Sequence, residues 1–205
     1  MNEQLKAKLV LTNIQKTLEN KNYVYFTRGK YNLNIVGIRS NNNNKVTNKF
    51  DDLLVVEYND GFNDKQSIYS ITTEPGLYYM TNKLGNSKGT AILVPGQYRG
   101  CWMIGKHNGK YKALVQKKPV KVYRDGNKDD IYDLDPTTIN EGCFGINIHR
   151  SNEVYTRSTI DMYSAGCQVF NNPVDFRNFI RLCEKQMNIY GNSFTYTLIN
   201  EEDLI

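Results

Sequence analysis

What most constrains this fold is a succession of short β-type runs punctuated by turn residues. YVYF (23–26), NLNIVGI (32–38), LLVVEY (from 53), SIYSIT (67–72), TAILVP (90–95), CWMIGK (101–106), YKALVQ (111–116), VKVYR (120–124), CFGINIH (143–149) and SFTYTLI (193–199) follow one another. The Asn-rich stretch 40–48 and the signals NDG, EPG, PGQ, HNG and DGN separate them. Runs of β-branched and aromatic residues bounded by Gly, Pro, Asn and Asp read as strands. Asn108-Gly109 predicts a hairpin, because both residues accept the left-handed backbone of a type I′ turn. Over 3–20, Leu5, Leu9, Ile14 and Leu18 recur at near-helical spacing. After Pro173, Phe176, Phe179, Ile180, Cys183 and Met187 form an apolar stripe that Gly191 ends. With no βαβ spacing, the pattern predicts a mainly β single domain, a sandwich or barrel-like sheet with an N-terminal helix and one C-terminal helix. We divide the chain into an N-terminal helical segment, 1–22, and a β domain, 23–205. Residues 40–50 are the candidate mobile loop.

A chain of 205 residues buries roughly 70% of its unfolded surface without help from metals or disulfides. The net charge of +5 is mild, and Lys and Arg alternate with Asp and Glu along most of the chain. That pattern argues against a nucleic-acid partner and permits only weak attraction to an anionic polymer such as a bacterial cell wall. Cys101, Cys143, Cys167 and Cys183 are irregularly spaced, with no CxxC pair, so they read as free thiols. The opening MNEQLKAKLVLTNIQ holds only a short apolar run, neither a secretory signal nor a transmembrane segment. The frequent Asn, Lys, Ile and Tyr suggest an AT-rich coding genome.

The chemistry concentrates in INIHRSNEVYTRSTIDMYSAGCQVF, residues 146–170. His149 ends a β run, and Cys167 follows in a Ser164-Ala165-Gly166-Cys167 turn. A thiol becomes a nucleophile when an imidazole takes its proton, and glycine beside it lets backbone N–H groups turn toward an oxyanion. The same residue types also serve as a buried thiol and a structural histidine.

IHRSN…YSAGCQVF resembles the signature of the L,D-transpeptidase catalytic domain, the YkuD-like family, in a divergent, phage-type form. The resemblance covers the strand before His149, the spacing, and Ser164, Gly166 and Cys167. Upstream, TTEPG, GTAILVPGQY, KYKALVQ and VKVYRDGNKDD also look like a phage-type branch of that fold. It implies a mainly β sandwich with a catalytic cleft and no cofactor. Cys167 would attack a peptidoglycan stem-peptide carbonyl to form a thioester, with His149 as base. The backbone around Gly166 and Cys167 would hold the oxyanion, and Ser164 would brace the turn. The sequence departs from the family at Ala165, where a histidine is usual, and at Val169, where Arg or Asn is common. Gln168, Asn171 and Arg150 are the substitute substrate-binding candidates. Transfer to an amine and hydrolysis by water both remain open. The rival reading is a catalytically degenerate virion structural or cell-wall-binding protein of the same fold. Either implies a phage virion, or host cytoplasm with delivery to the wall, and virion or lysis-protein partners. A papain-like protease would place its cysteine before its histidine, the reverse of the order here.

Other features carry two readings each. Asp125, Asn127 and Asp129, with Asp133 and Asp135, space oxygens like a calcium loop, but the sixth and twelfth places hold Asp130 and Pro136 where an EF-hand needs Gly and Glu. A solvated turn with side-chain-to-backbone bonds is the other account. Trp102 with Tyr98 and Tyr111 could line a cleft or pack a core. His107 is expected at an exposed turn tip, a weaker second base. Asp161 or Glu153 could orient His149, or be solvated loop charges.

Overall fold

The computed structural model describes residues 2–82 and 87–204. Among the described residues, helices α1 (Glu3–Val10), α2 (Ile14–Asn20), α3 (Leu77–Thr81) and α4 (Pro173–Tyr190) accompany eleven strands. The first six strands are β1 (Asn34–Arg39), β2 (Asp52–Asn59), β3 (Asp64–Thr72), β4 (Thr90–Leu93), β5 (Gly96–His107) and β6 (Tyr111–Gln116). The rest are β7 (Val120–Asp125), β8 (Asn140–Gly142), β9 (Ile148–Arg150), β10 (Gln168–Phe170) and β11 (Phe194–Asn200). Eight close into a barrel in the order β1-β11-β5-β6-β9-β10-β3-β2, and β4-β7-β8 form a second sheet. Of the barrel pairings, β1 with β11 and β9 with β10 are parallel. The expectation of a mainly β, barrel-like sheet holds.

Strand alternation sorts the core into two layers. Ile35, Leu54, Val56, Tyr69 and Ile71 point inward and meet Phe176, Phe179 and Cys183 of α4. Val36, Ile38, Leu53 and Val55 point outward and are covered by Leu5, Leu9, Ile14 and Leu18. The N-terminal segment is two short helices, capped by Asn2 and Asn13, that complete this outer layer. Helix α4 starts where the Asn172 side chain accepts from Val174 and Asp175 N–H and Pro173 fills the first turn; it stops at Gly191, φ 84°. No helix among the described residues is long and apolar enough to cross a membrane.

The β5–β6 hairpin turns at Asn108 (φ 48°) and Gly109 (φ 71°), both left-handed as the Asn-Gly signal requires. Two β-type runs do not join a ladder as expected. YVYF is held by side-chain amides: Gln97 bonds Val24 N and O, and Asn34 bonds Phe26 N and O. In CFGINIH only the last residues pair, because Gln116 Oε1 accepts from both Phe144 and Ile146 N–H.

The 40–50 segment is pinned rather than free. Val46 and Phe50 are buried, Lys45 bridges Ile131, and Asn48 Oδ1 accepts from Leu77 N (3.0 Å) and Asp161 N (2.8 Å). One amide thereby ties the start of α3 to the loop that leads into residues 164–167.

Candidate active site

The pairing of β9 with β10 sets the site. Val169 lies opposite His149 and Gln168 opposite Ile148, so Asn147 faces Cys167 and His149 stands two residues further along. Strand spacing puts such a diagonal pair about 8 Å apart at Cα. Ile148 and Phe170 point into the barrel, whereas Val169 and Cys167 pack in a separate cluster with Phe50 and Ile160. His149 and Cys167 therefore share the face of β9 and β10 that looks away from the barrel interior.

The turn before Cys167 is built by three residues. Ser164, fully buried, accepts from Gly166 N (3.2 Å) and donates to Cys167 O (2.8 Å) through its hydroxyl. Gly166 has φ +114°, and a Cβ there would lie 2.2 Å from the Ala91 carbonyl oxygen; only glycine fits. Ser164 O accepts from Gly76 N at 2.9 Å, fastening the turn to the segment after β3. Because Ser164 occupies the Gly166 N–H, that amide is not free for an oxyanion. The Cys167 N–H has no hydrogen-bond partner among the described residues.

The Cys167 thiol is partly accessible. Its S–H donates to Gly145 O (3.3 Å), and the sulfur accepts from Asn147 N (3.4 Å). Burial pushes this thiol up to about 11, offset in part by the Asn147 N–H. No hydrogen bond joins Sγ to His149 among the described residues, so the resting site holds a protonated thiol, not an ion pair.

His149 is 5% exposed, and its Nδ1 lies 2.8 Å from Arg150 O. A carbonyl only accepts, so Nδ1 carries the ring proton and Nε2 keeps its lone pair. Burial, and secondarily His107, drives this imidazole down to about 3. The group that orients His149 is thus a backbone carbonyl. Glu153 pairs with Arg150 instead (3.3 Å), and Asp161 accepts from Asn48 and Thr159.

Neither family models, curated proteins nor solved structures match this chain.

The substrate-binding candidates separate. Arg150 is beside the site, its guanidinium 4.1 Å over the Tyr111 ring. Gln168 is fully buried, with Oε1 accepting from Tyr196 OH (2.7 Å) and Nε2 directed at Thr73 O and Gly166 O; it braces the barrel and cannot reach a substrate. Asn171 lies beyond the far end of β10, where its backbone bonds Ser70, Ser151 and Arg157. The Asp125 loop is tied by internal hydrogen bonds, although the buried Asp125 Oδ1 has no hydrogen-bond partner among the described residues. Asp125 accepts from Asp133 N, Asn127 bonds Asp129, and Asp129 accepts from Ile131 N. Among the described residues no three His, Cys, Asp or Glu are grouped to hold a metal. Trp102 is core, donating to Ile146 O at 2.7 Å. All four cysteines are free.

Asn147 was beyond sequence reasoning, and His107 and Tyr111, both named from the sequence, take places it did not give them. His107 is not an exposed turn tip: it is half-buried and stacks on His149, centroids 4.0 Å apart and planes 20° apart. Asn147 bonds Cys167 through its backbone and His107 through its side chain (3.1 Å). Tyr111 donates to Arg150 O (3.2 Å), beside His149 Nδ1 at 3.4 Å. The Asn-Gly signal placed His107 correctly at the hairpin end, but only the β5-β6-β9 neighbour relation brings it over His149.

Proposed function

We propose that the protein is a cysteine-dependent enzyme performing acyl transfer or hydrolysis on peptidoglycan stem peptides. One observation carries the reading: a partly accessible thiol in a Ser-braced glycine turn shares a face with an imidazole whose Nε2 lone pair is left free by the Nδ1–Arg150 bond. In this reaction His149 Nε2 takes the Cys167 proton as Sγ adds to the scissile carbonyl carbon. The Cys167 N–H faces the developing oxyanion. Collapse breaks the C–N bond, and the departing amine takes the proton from His149, leaving a thioester. Water or a second amine then attacks it, giving its proton to His149, and Sγ leaves and is reprotonated. The backbone carbonyl at Arg150 holds the imidazolium formed at each stage, as a triad's third member does.

The choice of wall peptides rests on the resemblance to L,D-transpeptidases at Ser164, Gly166, Cys167 and His149. Where that family has a histidine this chain has Ala165, yet a second imidazole, His107, is present from another strand. Arg150 is the group for a substrate carboxylate, since its partner Glu153 is exposed and exchangeable. A phage virion or a lysis pathway is the setting this reading implies.

A second reading, a catalytically silent wall-binding or virion structural protein, is favoured by the thiol's bond to Gly145 O in place of His149. Incubating wild type and Cys167→Ala with intact sacculi, then reading muropeptides by mass spectrometry, separates the two. Trimming or cross-linking by wild type alone supports the enzyme, and the mass change identifies water or amine as acceptor. Unchanged muropeptides with both proteins across several wall preparations would end the enzymatic reading.

A further inference from the structure

From the stacked rings and the amide that holds one of them, we infer that His107 is a positioning residue. Together with Asn147 it covers His149 and keeps that base neutral, while the Arg150 carbonyl sets its Nδ1–H form. The inference rests on the proposed function for its purpose, though not for its geometry.

The amide of Asn147 has one possible orientation, because its Oδ1 accepts from Gln116 N at 2.9 Å. Its Nδ2 is therefore the atom 3.1 Å from His107 Nδ1, and that nitrogen must accept. In neutral His107 the proton then sits on Nε2, which requires the exposed Asn108 amide, whose Nδ2 lies 3.1 Å from Nε2, to turn its oxygen to that nitrogen. The two stacked imidazoles hold opposite tautomers: His107 protonated at Nε2, His149 at Nδ1. A proton added to His107 Nδ1 would oppose the Asn147 amide hydrogens, and a charge on either ring would sit 4.0 Å from the other.

Among the described residues no anion stabilises a charge on His149. From β6 it meets the neutral Tyr111 phenol, and Arg150 beside it turns its cation over that ring. Across the strand pair stands the protonated Cys167 thiol. On the α4 side the neighbour of Tyr111 is the Phe176 ring, edge-on. Burial lowers the protonation of both histidines. Asn147 is the common link, since its backbone N–H is on Cys167 Sγ and its side chain fixes the ring that covers the base. A base held this way is deprotonated well below neutrality and has its lone pair at a set position.

The chain contains only two histidines, so ring nitrogens are assigned by comparing single variants. ¹⁵N-detected NMR titration of wild type should show opposite tautomers, with both rings neutral at pH 6. In His107→Ala the pKa of His149 should rise by at least one unit, with the Nδ1–H form kept by the Arg150 carbonyl. His107→Phe, which keeps a flat cover, should return the titration toward that of wild type. Cys167 alkylation in His107→Ala should gain an inflection between pH 5 and 7 that wild type lacks. An unchanged His149 titration in a folded His107→Ala would overturn the inference. The muropeptide assay reports separately on the enzymatic reading, so an inactive wild type with the expected ring behaviour would sink that reading and leave the positioning intact.

Discussion

The resting thiol sets a reactivity that can be worked out in advance. Cys167 donates its proton to Gly145 O and is pushed up to about 11 by burial, against about 8.5 for an unperturbed cysteine. At pH 7 its thiolate fraction is then about 10⁻⁴ against about 3%, roughly 300-fold less. A more basic thiolate is also a better nucleophile, and with a Brønsted slope of about 0.45 the gain over 2.5 units is roughly 13-fold. The net expectation is alkylation by iodoacetamide about 20–30-fold slower than a short cysteine peptide at pH 7, with a rate that keeps climbing to pH 10. Peptide-resolved mass spectrometry of timed quenches follows Cys167 separately from the exposed Cys143. This differs from the usual sign of an activated cysteine, because in the proposed general-base scheme the proton moves during attack, not beforehand. A Cys167 that labels faster than the peptide at pH 7, with a plateau near pH 6, would mean a preformed thiolate. The hydrogen bond to Gly145 O and the general-base scheme would then both be wrong.

Four further outcomes follow from the packing and burial of particular residues. Gly166→Ala should cost about 3 kcal/mol or more in urea unfolding, combining a left-handed backbone with a methyl group driven into Ala91 O. Asn48→Ala should cost about 1–2 kcal/mol and increase hydrogen exchange at the Leu77 and Asp161 amides it holds; unchanged protection there would remove Asn48 from the account. Glu74, buried 3.3 Å from Arg39, is raised to about 8 by burial and then by Asp52. A raised carboxyl stabilises the fold below its unfolded value and loses that contribution as pH climbs through 8. Relative to wild type, Glu74→Gln should therefore gain stability at about 1.4 kcal/mol per pH unit between about 4.5 and 8, read from denaturation midpoints. His149 has the opposite sign: lowered to about 3, its contribution is present above about 6.5 and fades as pH falls. His149→Phe should accordingly flatten the acid limb, and parallel limbs would refute the assignment.

The parts of this fold legible in the sequence are those decided by neighbours in the chain. Asn108-Gly109 makes its turn because two adjacent residues accept positive φ, and α4 begins and ends at Asn172-Pro173 and Gly191 for equally local reasons. The misreadings share one cause. YVYF and CFGINIH have strand-like side chains, but the side-chain amides of Gln97, Asn34 and Gln116, outside those runs, take N–H and C=O groups a ladder would use. The Asn-rich segment has a loop's composition, yet Asn48 turns that composition into a fastening.

The candidate site divides along the same line. Nucleophile, base and the Ser164–Gly166 brace lie within one short stretch and carry their chemistry in their residue types. What governs their protonation does not. The His149 orienter is a carbonyl, which no residue letter encodes; Gln168, polar and next to the cysteine, is turned inward by Tyr196. His107 reaches His149 through the register of three strands, with His107 opposite Tyr111 at the β5–β6 hairpin end and Leu114 of β6 opposite Ile148 of β9. Side-chain amides recur in all of these cases, at Gln97, Gln116, Asn48 and Asn147. An amide donates and accepts at once without charge, so it can replace a ladder bond in one place and fix a tautomer in another. In a chain so rich in asparagine, that property, more than the Cys–His pair itself, decides whether the thiol and the imidazole are held in a form that can react.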